Sequence, residues 1–177
     1  MASPLTLLTP RLTLRRWRAD DVEPMAAVNA DPEVMRWTGD GSVLDRERTA
    51  AAVAAWEQGW DEHGVGLFAV EVRRSRRLAG FAGLSVPAEL PELRPAVEVG
   101  WRLGRPFWDD GLATEAARAV LDFAFRDRGL ARVVGVHRTG HEAPAAVMRK
   151  LGMRHDRKTT HPEYGVPLCV HVIEARP

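Results

Sequence analysis

Polar and apolar residues alternate through Arg11–Trp17, where Leu12 and Leu14 stand against Arg11, Thr13 and Arg15. A period of two puts the leucines on one face, so this stretch and the short run Leu5–Leu8 predict strands. From Asp20 to Ala30 the period lengthens to that of a helix. Asp20 is the expected N-cap, Asp21 and Glu23 fall in the first turn, and Asp31-Pro32 is the expected stop. Glu33–Met35 fits one further helical turn. Trp37–Ser42 contains Gly39 and Gly41 and reads as loop. Ala52, Val53, Trp56 and Trp60 keep helical spacing and predict a helix over Asp45–Gln58, ended by Gly59 or Gly64.

Farther along, the period shortens again. Gly66–Val72 and Leu78–Val86 read as the two strands of a hairpin about the polar turn Arg73–Arg77. Pro87, Pro91 and Pro95 mark a loop. Ala96–Leu103 reads as strand, and Gly104-Arg105-Pro106 breaks it. Ala113, Ala116, Ala117, Val120, Leu121 and Ala124 then fall at i, i+3, i+4, i+7, i+8 and i+11, predicting a helix from Gly111 to about Asp127. Strand Ala131–His137, short helix Pro144–Leu151 and strands Met153–Arg157 and Leu168–Ala175 complete the chain. Hairpins followed by strand–helix–strand–helix–strand predict an α/β fold in one domain, 1–177, with a sheet partly antiparallel and partly parallel.

Charge and composition narrow the function classes. The 177 residues carry 25 basic and 24 acidic side chains, a formal charge of +1. That balance argues against a broad basic surface for nucleic acid. The longest apolar run, Ala50–Trp56, is too short to span a bilayer, and Met1–Pro4 does not begin a signal peptide. A soluble protein of the cytoplasm is the expectation. Cys169 is the one cysteine, which excludes a disulfide framework and a multi-cysteine zinc site. His137 and His141 are four apart, but Gly140 and Pro144 stop one helix from presenting both, so no metal is expected. Only Lys150 and Lys158 are lysine; the other 23 basic residues are arginine. The cluster Arg73, Arg74, Arg76 and Arg77 reads as a solvated hairpin tip.

The most informative stretch is Val97–Leu103 followed by Trp108–Glu115. A strand leads through a turn into a helix whose first residues are small. Unpaired N–H groups and the positive end of the helix dipole favour an anion there, and Gly111 and Ala113 let it approach closely. A plain strand–turn–helix connection remains the alternative. The segment lacks G-x-G-x-x-G, which counts against a dinucleotide fold.

Trp108-Asp109-Asp110-Gly111-Leu112-Ala113 resembles the pyrophosphate loop of the GNAT acetyltransferase superfamily. Trp108, Gly111, Ala113, Thr114, Glu115 and Ala116 match the W-G-x-G-x-A-T-E-A run of its ribosomal-protein alanine N-acetyltransferase (Rim-type) branch. Thr9–Arg15 resembles that branch's first strand, and Val147–Met153 its penultimate helix ending K-L-G-M. The resemblance implies a twisted sheet of about seven strands with helices on both faces. It implies acetyl-CoA as co-substrate, a primary amine as acceptor, and transfer by direct attack. A non-catalytic acyl-CoA-binding or protein-interaction module is the alternative. Homodimers are common among the proteins it resembles, and no feature of the chain decides the point.

The same resemblance implies the site. Backbone amides of Asp109, Asp110, Gly111, Leu112, Ala113 and Thr114 would hold the pyrophosphate. Main-chain groups of Trp101, Arg102 and Leu103 would pair with the pantetheine arm as an added strand. Glu98, beside the thioester position, is the candidate base; an ordinary outward carboxylate is the other reading. His137, across the gap, is the second candidate. The family's frequent Tyr acid is replaced by Met148, and its N-x-x-S pair by His141 and Pro144. His141 is left as a hydrogen-bonding group to CoA. Asp109 and Asp110 bring carboxylates to the loop, and outward side chains are expected. Trp37 is the candidate acceptor contact, in a groove between Trp37–Ser42 and His155–Pro167.

Overall fold

The computed structural model describes residues 5–176. Eight strands form one sheet: β1 (Thr6–Leu8), β2 (Leu12–Arg15), β3 (Leu67–Val72), β4 (Arg77–Ser85), β5 (Val97–Leu103), β6 (Arg132–Arg138), β7 (Arg154–Thr160) and β8 (Pro167–Glu174). Five α-helices accompany them: α1 (Val22–Asn29), α2 (Pro32–Met35), α3 (Arg46–His63), α4 (Leu112–Asp122) and α5 (Glu142–Lys150). The sheet order is β1-β2-β3-β4-β5-β6-β8-β7. Every neighbouring pair is antiparallel except β5 and β6. The strand count is eight, against the expected seven or so. No described helix is long and apolar enough to cross a membrane.

Helices cover both faces. On one, Phe68, Leu84, Val99 and Val133 pack against Ala116, Ala117, Val120 and Leu121 of α4 and Met148 of α5. On the other, Met25, Val28, Val34 and Val53 from α1–α3 cover Trp17, Ala69 and Phe81. Each fully buried valine or leucine contributes about 1.5–3 kcal/mol. Beyond those helices, Leu90 and Leu93 of the β4–β5 connection cover Val134, Leu168, Val170 and Val172.

Several helix boundaries depart from expectation, for physical reasons. Asp20 is not the cap of α1. The helix begins after Asp21, whose carboxylate is turned inward to accept from Arg15 Nη1 and Nη2 at 2.7 and 2.9 Å. Arg15 also donates to buried Glu71, so one guanidinium bridges two buried carboxylates, and Arg76 supplies a second cation to Glu71. Asp31 starts α2 by accepting from Glu33 N at 3.0 Å, in addition to following α1. Helix α3 runs through Gly59 and stops at Gly64, whose left-handed φ of 67° suits glycine. The helix expected to reach Asp127 widens after α4, where Arg128 N bonds Phe123 O.

The topology opens a gap in the sheet. Strands β5 and β6 are paired only at Val97↔Val133 and Glu98↔Val134. Beyond that point they diverge, while β5 stays paired to β4 along Glu98–Leu103 and β6 to β8 along its whole length.

Candidate functional site

The gap has a defined backbone edge. Gly104 N donates to Ala79 O on the β4 side. Backbone groups alternate sides along a strand. Arg102, Gly100 and Glu98 therefore share the β4 side, and Leu103, Trp101 and Val99 present their N–H and C=O to the gap. The Leu103 carbonyl already accepts from Trp108 Nε1 at 2.7 Å. Arg102 sends its guanidinium to Asn29 Oδ1 at 2.8 Å and over the Phe81 ring. Burial lowers its pKa to about 10, so it stays a cation at neutral pH.

At the end of this edge the chain turns on two left-handed residues, Asp109 (φ 59°) and Gly111 (φ 75°). Helix α4 starts at Leu112 with no side-chain cap. Its first intrahelical bond is Glu115 N to Gly111 O at 3.0 Å. The amides of Leu112, Ala113 and Thr114 are thus left to an outside acceptor. The Leu112 side chain is buried in the core, whereas Asp109 and Asp110 are exposed at the surface.

A long-range interlock holds this turn. Glu115 Oε1 accepts from Thr9 Oγ1 at 2.6 Å and Arg11 N at 2.9 Å, and Oε2 from Arg11 Nε at 2.6 Å. Arg11 Nη1 reaches back to Asp110 O at 2.8 Å. Burial alone would raise the Glu115 pKa, but these hydrogen bonds and the Arg11 charge hold it below the usual carboxylate range. The two stretches that stand out in the sequence, Thr9–Arg15 and the Trp108–Ala116 loop, are in direct contact. The arginine cluster is also engaged. Arg73 donates to Thr9 O, Arg76 pairs with Glu71, and Arg77 lies over Phe107.

Where β5 and β6 part, a cleft of about 380 Å³ opens on the sheet. Glu98 and Trp37 line it, as does His137. Glu98 is half-buried, and burial together with the charge of Glu89 raises its pKa to about 7. It makes no hydrogen bond or ion pair among the described residues, so its carboxyl is free to exchange a proton. His137 is differently placed. Its Nδ1 must donate to Arg138 O at 2.9 Å, leaving Nε2 to face His171 Nε2 at 3.2 Å. Both its nitrogens are engaged.

His141 stacks on Trp37, with ring centroids 4.7 Å apart and planes within 8°. Burial, with His137 and Arg36 adding to it, lowers its pKa to about 4, so it is neutral at pH 7. Trp101 packs against the main core. Met148, in the place of a tyrosine, is fully buried beneath Gly135.

Sequence reasoning missed one wall of the cleft. Ser85–Leu90 lines it, Glu89 included, and faces His161, Val166 and Leu168. Prolines marked this segment as loop, and its acidic residue carried no periodic signal. Trp37 and Gly39 from one expected wall and His161 and Val166 from the other do line the cleft.

Comparison with known proteins agrees with this geometry. Residues 11–154 match the model of the acetyltransferase (GNAT) domain. The chain is 26% identical over 148 residues to the N-acetyltransferase YoaA of Bacillus subtilis (strain 168), spanning 84% of this chain and 82% of that protein. A crystal structure of an acetyltransferase from Agrobacterium tumefaciens superposes with a TM-score of 0.82 at 25% identity, covering 99% and 97% of the two chains. RimL, a ribosomal L7/L12 acetyltransferase solved with coenzyme A, shares the fold at a TM-score of 0.81 and 15% identity, over 96% and 98%. With four-fifths of its length matched to that domain, the chain belongs to the GNAT family and is an acetyl-CoA-dependent N-acetyltransferase.

Proposed function

We propose that the whole chain acts as one acetyltransferase domain in which a primary amine enters the cleft and Glu98 takes its proton as it attacks. The carrying observation is Glu98 itself. It is an unpartnered carboxyl in a concave site, at the point where β5 and β6 part, with a pKa raised to about 7. A base is most effective when its pKa lies near the working pH, and an alkylamine is mostly protonated there. His137 is secondary, because both its ring nitrogens are bonded within the protein.

The residues present fit acetyl-CoA. Val99 and Trp101 present main-chain groups to the gap, in position to pair with the pantetheine arm. The amides of Leu112, Ala113 and Thr114, with Gly111 leaving room beside them, suit a pyrophosphate. Asp109 and Asp110 leave their side chains at the surface, and Arg11 offsets Asp110 at 3.6 Å. When bound, acetyl-CoA supplies the thioester that the amine attacks. The N–H groups of β5 that face the gap supply donors for the carbonyl oxygen. Trp37, stacked on neutral His141, gives the acceptor an apolar wall. The acceptor is a peptide N-terminus, as in the Rim-type branch, or a small amine of the same chemistry. A single free thiol, Cys169, suits a reducing compartment such as the cytoplasm.

The test measures thiol release from acetyl-CoA against a panel of N-terminal peptides and small amines, alongside CoA binding by calorimetry. Turnover with at least one amine is expected. Binding without turnover on any acceptor would leave a non-catalytic module. The rate should rise with pH through about 7 as Glu98 loses its proton. Glu98→Gln should lower kcat by about 10²–10⁴-fold and remove that limb, with CoA affinity unchanged. An unchanged rate would show that Glu98 is not the base.

A further inference from the structure

The His161–Gly165 turn of the β7–β8 loop bridges the cleft from wall to wall. His161 Nδ1 accepts from Glu163 N and Tyr164 N at 3.2 and 3.3 Å. Its proton is therefore on Nε2, which donates to Glu89 Oε2 at 3.0 Å. Glu89 lies in the β4–β5 connection, 72 residues away. A second tie joins the same two segments: Thr159 Oγ1 donates to Glu92 Oε1 at 3.1 Å. On the opposite side, the Tyr164 ring is 3.8 Å from where a side chain at Gly39 would begin, against the Trp37 loop. The His161 side chain is only 11% exposed, although Glu89 is 68% exposed. The tie thus joins a mostly buried imidazole to a surface carboxylate that can let go.

Glu89 and Glu98 line the same cleft. The other charged or titratable groups lining the cleft with Glu98 are His137 and Arg138 from β6 and His161 from the β7–β8 loop. Arg138, whose Nη1 donates to Arg36 O, lines the same cleft as Glu89. No carboxylate on this wall was needed to shape the acceptor surface, since Val86, Pro87, Ala88 and Leu90 already supply it.

We propose that Glu89 is a positioning residue for acetyl transfer: it latches the β7–β8 loop over the acceptor through His161, and its negative charge strengthens Glu98 as a base. The second half of this statement rests on Glu98 being the base; the first half does not. Releasing the latch breaks one hydrogen bond to an exposed carboxylate, a small cost for admitting an acceptor, while the Thr159–Glu92 bond still ties the end of β7 to the β4–β5 connection.

Kinetics across pH separate the two roles. In Glu89→Gln the amide oxygen still accepts from His161, but the charge is gone. The acceptor KM should stay near wild type while the rising limb shifts to lower pH, on the order of half a unit. In Glu89→Ala the limb should shift equally and the acceptor KM rise about two- to five-fold, with the acetyl-CoA KM unchanged. His161→Ala should raise the acceptor KM alike without moving the limb. A wild-type limb in Glu89→Gln overturns the electrostatic role, and a wild-type acceptor KM in Glu89→Ala overturns the latch. If instead the limb survives in Glu98→Gln, the base assignment has failed, and the KM of Glu89→Ala still decides the latch.

Discussion

Between Gly104 and Thr114 the chain makes the proposed donor end from main chain. Two left-handed residues turn it, three bare amides follow, and the side chains of Asp109 and Asp110 play no part in the surface they form. Around Glu98 the reverse holds. The cleft is made by side chains from β5, β6, the Trp37 loop, the β4–β5 connection and the β7–β8 loop. A backbone device depends on local φ and on what holds the turn, so it tolerates two aspartates. A side-chain device depends on five separate segments meeting, so single substitutions there alter specificity before they alter stability.

Three substitutions press on that contrast. The largest effect is expected at Gly111. Gly111→Ala forces an L side chain into a φ of 75°, at about 1–2 kcal/mol. CoA affinity should fall about tenfold or more by calorimetry, and the acceptor KM should hold. Equal loss in both would mean that the halves are not separable. Glu115→Ala removes the acceptor for Thr9 and for Arg11, backbone and side chain. It should cost about 1–3 kcal/mol in urea unfolding and weaken CoA binding several-fold. Because the folded pKa of Glu115 lies below its unfolded value of 4.5, its contribution is complete above that pH. It is lost as pH falls below 4.5 toward the lower folded value. Wild type and Glu115→Ala should therefore converge in stability in acid, and a constant gap would show that the interlock is not ionic. The smallest effect belongs to Trp37→Ala. It should raise the acceptor KM about two- to five-fold, the loss of one stacked aromatic contact, with CoA affinity unchanged. A change in CoA affinity instead would move Trp37 and His141 to the donor side.

Much of this was legible along the chain. Strand alternation and the α4 stripe mapped onto the observed elements within a few residues, because burial on one face demands that periodicity. The gap-facing strand and the α4 entry were legible for the same reason: both are continuous in sequence. Three features were not. Asp20 and Asp21 are equal as helix caps until Arg15 and Glu71 are folded beside Asp21. That His141 stacks on Trp37 joins two residues about a hundred positions apart. Glu89 was one acid in a proline-rich loop until His161 arrived from the other end of the sheet.

By itself the sequence determined the family, the order of elements, the turn into α4 and the candidacy of Glu98. The order of elements is written in periodicity; the family and the candidacy of Glu98 came through short motifs that resemble those of the family. Only the tertiary structure decided that Thr9 and Arg11 brace the turn, that His137 is tied within the protein, and that Glu89 shares a cleft with Glu98. The reason is electrostatic as much as geometric. The proton affinity of Glu98 comes from desolvation and a like charge nine residues away across a loop, and neither exists until the chain has closed around it.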